Sequence, residues 1–189
     1  MRKLIMWNVI SLDGCFEGKK PWDLDFHRSI LDKEFEDISN EQLRTADMLV
    51  FGEKTYIGMA EYWSKAEGEP GETAAMMNAL PKIVCSRTLE HADWNNTKIV
   101  RDAVVELAKL KQEGDGNMFV FGSGILSESL MKANLFDEYR LLVAPVILGV
   151  GRHLFTENSA YKKLKLLEAR PLKSGGVILK YAPVSYPVK

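Results

Sequence analysis

Two glycine-bearing blocks of the sequence have the make-up of an anion cradle. Phe51-Gly52-Glu53-Lys54-Thr55-Tyr56 and Val120-Phe121-Gly122-Ser123-Gly124-Ile125 each close a short apolar run and open a stretch with helical spacing. A glycine at such a junction lets the first amides of a helix face an anion with no Cβ in the way. A third run end, Cys85-Ser86-Arg87-Thr88, adds two hydroxyls and a guanidinium, donors suited to phosphate. Alone, each block reads as an ordinary turn; their coincidence in one chain points to a phosphate-bearing ligand. Gly122-Ser123-Gly124 does not continue into the dinucleotide fingerprint G-x-G-x-x-G, because position 127 is Ser. A standard Rossmann domain is therefore not expected.

Proton chemistry has three candidates, Asp13, Asp25 and His27, in or beside the connection formed by residues 13–26. A general acid must reach the reacting atom through a hydrogen bond, and a long glycine-containing loop can carry one there as lid or floor of a pocket. Asp13 precedes Gly14 and would serve equally well as a turn residue. His91 and His153 have no partners at ligand spacing and read as surface residues, so no metal is expected. Cys15 and Cys85 show neither zinc nor disulfide-framework spacing, which suits a reducing cytoplasm.

The elements that must position these residues follow from apolar periodicity. Residues 4–10 are nearly continuous in apolar character, the pattern of a strand covered on both faces. Residues 28–46 carry Ile30, Leu31, Phe35, Ile38 and Leu43 at helical offsets, residues 47–52 form a strand, and a helix follows from Lys54. The stretch 65–79, with Gly68, Pro70 and Gly71, starts as a loop, and residues 82–86 and 99–100 read as short strands. Asp102 is placed to cap a helix that closes at Gly114-Asp115-Gly116. A buried strand over 117–122 and a helix over 124–133 come next. Strands over 138–145 and 177–181, with no long helix between them, predict a terminal antiparallel hairpin or meander. The whole is a mostly parallel α/β sheet in a single domain.

Composition narrows the function. The 189 residues are 46% hydrophobic and 27% charged, enough for one soluble domain with a full core. A net charge of −1 without a basic stripe argues against nucleic acid as a partner. No apolar run approaches the roughly 20 residues of a membrane span.

The ordered set Ser11-Leu12-Asp13-Gly14, Gly52-Glu53-Lys54-Thr55-Tyr56, Ser86-Arg87-Thr88-Leu89, Phe121-Gly122-Ser123-Gly124 and Leu135-Phe136-Asp137-Glu138, followed by Pro145-Val146-Ile147-Leu148-Gly149-Val150-Gly151, resembles the dihydrofolate-reductase-like superfamily. More narrowly, it is similar to the reductase domain of the riboflavin-biosynthesis deaminase-reductase. The resemblance implies a three-layer fold with a mostly parallel central sheet and antiparallel C-terminal strands. It implies NADPH as cofactor, a small heterocyclic substrate such as 5-amino-6-(5-phosphoribosylamino)uracil, and a homodimer. It assigns Gly52, Lys54, Thr55, Ser86, Arg87, Gly122, Ser123, Gly124 and Ile125 to the cofactor.

Three departures qualify the assignment. Glu53 stands where the family has arginine for the 2′-phosphate: either it reduces the preference for NADPH over NADH, with Lys54 or Arg87 as the compensating cation, or it turns to solvent as the first-turn acid of a helix. The Gly122-Ser123 peptide is expected to be cis, as in dihydrofolate reductases, if the cofactor site is intact; a trans peptide would count against close mechanistic kinship. His27 occupies the place of the pterin-binding acid, with Asp25 as the nearest alternative, so dihydrofolate or pterin reduction is a lesser expectation. A non-catalytic nucleotide-binding module of the same fold is the other reading.

Overall fold

The apolar run at the amino terminus becomes an interior strand against which the rest of the sheet is laid. The computed structural model describes residues 1–66, 71–157, 159 and 161–184. In chain order the elements are β1 (Lys3–Ile10), β2 (Cys15–Glu17), a 3-10 turn (Asp25–Ser29), α1 (Lys33–Arg44), β3 (Ala46–Gly52), α2 (Glu53–Lys65), α3 (Glu72–Ala79) and β4 (Lys82–Cys85). Then follow β5 (Thr97–Val100), α4 (Ala103–Gln112), β6 (Asn117–Phe121), α5 (Gly124–Lys132), β7 (Glu138–Val143), β8 (Arg152–His153), β9 (Leu164–Pro171) and β10 (Val177–Pro183).

Eight strands form one sheet in the order β5-β4-β3-β6-β1-β7-β10-β9, and β2 pairs with β8 in a small second sheet. The six strands from β5 to β7 are mutually parallel; β10 joins antiparallel to β7, and β9 antiparallel to β10. Side chains of β1 alternate between two cores, as the period of two requires. Ile5, Trp7 and Val9 pack with Ile38 and Leu43 of α1, Tyr56 of α2 and Met77 of α3. Leu4, Met6 and Ile10 pack with Leu107 of α4 and with Leu126 and Leu130 of α5. The three layers and the antiparallel C-terminal strands are those the sequence predicts.

Local chemistry explains where boundaries differ from the sequence reading. The expected helix over 28–46 is split, because the extended Asp32 accepts from the Phe35 amide at 2.9 Å and starts α1 afresh at Lys33. Asp102 caps α4 as expected, accepting from the Val105 amide at 3.1 Å. Within 65–79 the second half forms α3, while Gly68 and Pro70 lie outside the described residues. β9 was not anticipated; it is the sheet's outer strand, and its mostly exposed side chains give weak periodicity.

One buried charge closes the α3–β4 corner. Lys82 is 1% exposed, and its ammonium donates to the carbonyls of Asn78, Leu80 and Asn95 at 2.9, 2.8 and 3.2 Å while lying 4.4 Å from the centre of the Trp94 ring. Removing it strands three carbonyl acceptors in a dry corner. Lys82→Met is expected to lower stability by about 2–4 kcal/mol in urea unfolding, the scale of lost charge-assisted bonds and orphaned acceptors. A loss under about 0.5 kcal/mol would show that water reaches the corner.

Candidate functional site

Strand order decides where a ligand can enter. The connection leaving β3 turns toward β4, whereas the connection leaving β6 passes β1 to reach β7. The crevice between the carboxyl ends of β3 and β6 is therefore the switch point at which open α/β sheets bind ligands. Two helices begin at it, α2 after Gly52 and α5 after Ser123. Neither start carries a side-chain cap, so first-turn amides of both can meet an anion.

Gly122 and Ser123 both take the left-handed backbone, with φ of 55° and 58°. For a serine this costs about 1–2 kcal/mol. Its hydroxyl offsets the strain by accepting from the Gly52 amide and donating to the Phe121 carbonyl, both at 2.9 Å, which ties the ends of β3 and β6 together. The Gly122-Ser123 peptide, expected to be cis, is trans; no cis bond occurs among the described residues. Two consecutive left-handed residues turn the chain without the roughly 2.5–4 kcal/mol of a non-proline cis bond. Thr55 faces this turn, its hydroxyl 3.5 Å from where a Cβ on Gly122 would lie. At Gly124 the constraint is space, since a Cβ would sit 2.9 Å from the ring of Phe16 in β2.

One strand further along the edge, Cys85 of β4 pairs in register with Gly52, which brings Ser86 and Thr88 beside Glu53. Both hydroxyls donate to the same oxygen, Glu53 Oε2, Thr88 at 2.6 Å. These bonds, that of Ser86 foremost, hold the Glu53 carboxyl below the usual carboxylate range. Arg101 fixes the turn from outside, donating to the carbonyls of Ser86 and Leu89 at 3.0 and 2.8 Å. The hydroxyl pair that looked suited to phosphate thus already holds an internal carboxylate. Lys54, Arg87 and Ile125 are exposed.

The three candidate proton carriers have separate surroundings. Asp13 accepts from the Ser11 hydroxyl at 2.6 Å and from the amides of Leu148 and Gly149 at 3.1 and 2.8 Å. These bonds, the Ser11 hydroxyl first, bring its pKa down to about 2, so it is an anion that pins the turn after Pro145 and has no proton to give near neutrality. Asp25 is exposed and paired with Arg28 at 3.1 Å. His27 is half-buried; burial pushes its pKa down to about 4, and its buried Nε2 has no partner. It is a neutral imidazole at neutral pH.

The β2–β8 pairing assembles a group that sequence reasoning missed. Arg152 donates to Glu17 at 2.7 Å and lies 5.2 Å from the centre of the Phe16 ring. Arg152 and His153 line a cleft of about 200 Å³ together with Phe16, Gly124 and Ile125, next to the start of α5. His153, exposed as expected, has Nε2 3.8 Å from Cys15 Sγ. Glu17 also accepts from the Trp22 amide at 2.7 Å. The Trp22 indole in turn lies on Gly58 of α2, where a Cβ would be 2.0 Å from the ring. The long loop is thereby fastened on both sides of the crevice. Residues 135 apart in sequence meet here, and no local pattern announces them. Among the described residues no group of His, Cys, Asp and Glu could hold a metal ion, and no helix is long and apolar enough to cross a membrane.

Sheet order, terminal antiparallel strands and crevice together define a dihydrofolate-reductase-like α/β protein. Dihydrofolate reductase from Enterococcus faecalis, complexed with NADP(H), superposes with a TM-score of 0.62 at 15% identity over 97% of both chains. Residues 2–178 match the RibD C-terminal domain, and the chain belongs to that family. The diaminohydroxyphosphoribosylaminopyrimidine deaminase/5-amino-6-(5-phosphoribosylamino)uracil reductase from Thermotoga maritima shares the fold, with a TM-score of 0.69 at 12% identity over 97% of this chain and 57% of that one. In sequence, the uncharacterized protein YyaP of Bacillus subtilis (strain 168) is 29% identical over 183 residues, 95% of this chain and 94% of its own length.

Asp13 yields a pH test. Its folded pKa lies below its unfolded value of 3.8, so its contribution is present above pH 3.8 and is lost as pH falls toward about 2. The Leu148 and Gly149 amides are expected to keep their hydrogen-exchange protection down to pH 3.8 and to lose it over that interval. In Asp13→Ala the protection should already be absent at neutral pH. Retained protection in the variant would mean that other contacts hold the turn.

Proposed function

We propose that the chain is a nicotinamide-dinucleotide-dependent reductase of a small heterocycle, of the aminopyrimidine type that the Thermotoga maritima relative is named for. The observation that carries this reading is the pair of uncapped helix starts at one switch-point crevice, tied by Ser123. A pyrophosphate there would take the first amides of α5 and the Thr55 hydroxyl. The dinucleotide, when bound, supplies the hydride.

What the chain itself contributes is position and exclusion of water. The loop fastened through Glu17, Trp22 and Gly58 runs from β2 to α2 beside the crevice, where the reacting ends must be held about 3–3.5 Å apart. Asp13 is a fixed anion with no proton to give at neutral pH, and Asp25 is an exposed side chain paired with Arg28. We assign the proton of the reduction to water or to the substrate's own exchangeable groups. NADPH is the cofactor the family likeness suggests.

The test is consumption of reduced nicotinamide by the purified chain with aminopyrimidine and pterin acceptors. Acceptor-dependent oxidation is expected, and Thr55→Val should weaken dinucleotide binding about tenfold, the value of one good hydrogen bond. Dinucleotide binding without oxidation of any acceptor would favour a binding module that does not turn over. We also propose a homodimer, supported by the unpaired outer edge of β9 with Leu166 and Leu167 both 51% exposed. Light scattering is expected to give twice the chain mass; a monomer at micromolar concentration would remove the proposal.

A further inference from the structure

A dinucleotide at this crevice can lie across the sheet edge in one of two directions. On the β1 side lies β2 with Phe16, which lines the cleft of about 200 Å³ beside the start of α5, the place for a reacting ring. On the β4 side lies an open polar turn, Ser86 to Thr88, with Glu53 set into it. A dinucleotide whose pyrophosphate sits between Gly52 and Gly122 and whose nicotinamide lies on the β1 side sends its adenosine ribose over that turn. Strand spacing of roughly 4.8 Å makes the step from crevice to turn about one strand.

We propose that Glu53 selects a dinucleotide with a free ribose 2′-hydroxyl, NADH, and rejects the 2′-phosphate of NADPH. The inference rests on the nicotinamide reading given above and adds to it the cofactor's identity. Three observations converge. Ser86 and Thr88 both donate to Glu53 Oε2, so the two hydroxyls that could have served a phosphate are already used. Ser86 Oγ further accepts from the amides of Thr88 and Leu89 at 3.0 and 2.8 Å, which sends those two donors inward as well. Among the described residues no side chain donates to Glu53 Oε1; beside the two hydroxyls the carboxylate meets the Leu89 amide, which leaves it lone pairs for a ribose hydroxyl.

A carboxylate in this relation to a ribose accepts from the 2′-hydroxyl and repels a phosphate in its place. Of the nearby cations, Arg101 donates to the carbonyls of Ser86 and Leu89 and its charge bears on Glu53, as the smallest of the influences that keep the carboxylate ionised; Lys54 and Arg87 are exposed side chains whose charge is screened by water and salt. Glu53 is held by two hydroxyls and cannot swing away without releasing both.

Titration calorimetry with NADH, NADPH, 5′-AMP and 2′,5′-ADP tests the proposal on the wild type, Glu53→Gln and Glu53→Arg. In the wild type NADH should bind at least about tenfold more tightly than NADPH, and 5′-AMP more tightly than 2′,5′-ADP by a similar ratio. Glu53→Gln keeps the side chain's shape and an acceptor oxygen but not its charge, and should bring both ratios to within about threefold of unity. Glu53→Arg should invert them. Equal or tighter binding of NADPH by the wild type, or ratios unchanged in Glu53→Gln, would overturn the assignment while leaving the nicotinamide reading intact. Binding of none of the four ligands by any of the three proteins would overturn both.

Discussion

Inserting β6 between β1 and β3 forces the connections that leave β3 and β6 to run in opposite directions, and the site exists because of that. Parallel strands joined by right-handed crossovers place each following helix on a face determined by the direction of travel. Here the reversal puts α2 and α5 on opposite faces of the sheet while both begin at adjacent strand ends. No loop has to be built to bring two helix starts together. The Ser123 hydroxyl, bonded to the Gly52 amide, holds the two strand ends in register at the point where the sheet would otherwise splay.

Around this crevice the chain uses carboxylates as fixed internal anions. Asp13 takes the donors of the turn after Pro145, and Glu53 takes those of the turn after Cys85. Each carboxylate is ionised because hydroxyls or amides point at it, and each is thereby unavailable for proton transfer. What the crevice presents in their place is the first-turn amides of two uncapped helices and the glycines of the two strand ends.

The loop beside the crevice depends on long-range pairing. Glu17 receives Arg152 and the Trp22 amide together, so the short β2–β8 ladder and the loop after it are one unit. Gly58 lets the Trp22 indole lie flat on α2, which joins that unit to the opposite side of the crevice. Movement of the loop would therefore be felt at both helix starts.

The sequence alone determined the strands covered on both faces, the α4 cap at Asp102 and the glycine junctions at 52 and 122, because apolar period, capping chemistry and backbone freedom are local properties. The ordered blocks were also enough to point to the fold and the family. Tertiary structure decided the rest. Nothing local says that Ser86 and Thr88 face Glu53, that Asp13 holds a turn 135 residues away, or that Phe16 fills the space beside Gly124. The split before α1 and the trans peptide after Gly122 were likewise beyond a residue pattern. Whether a hydroxyl pair serves a ligand or a neighbouring carboxylate depends on which strand ends are adjacent, and that adjacency is set by the crossover order of the sheet.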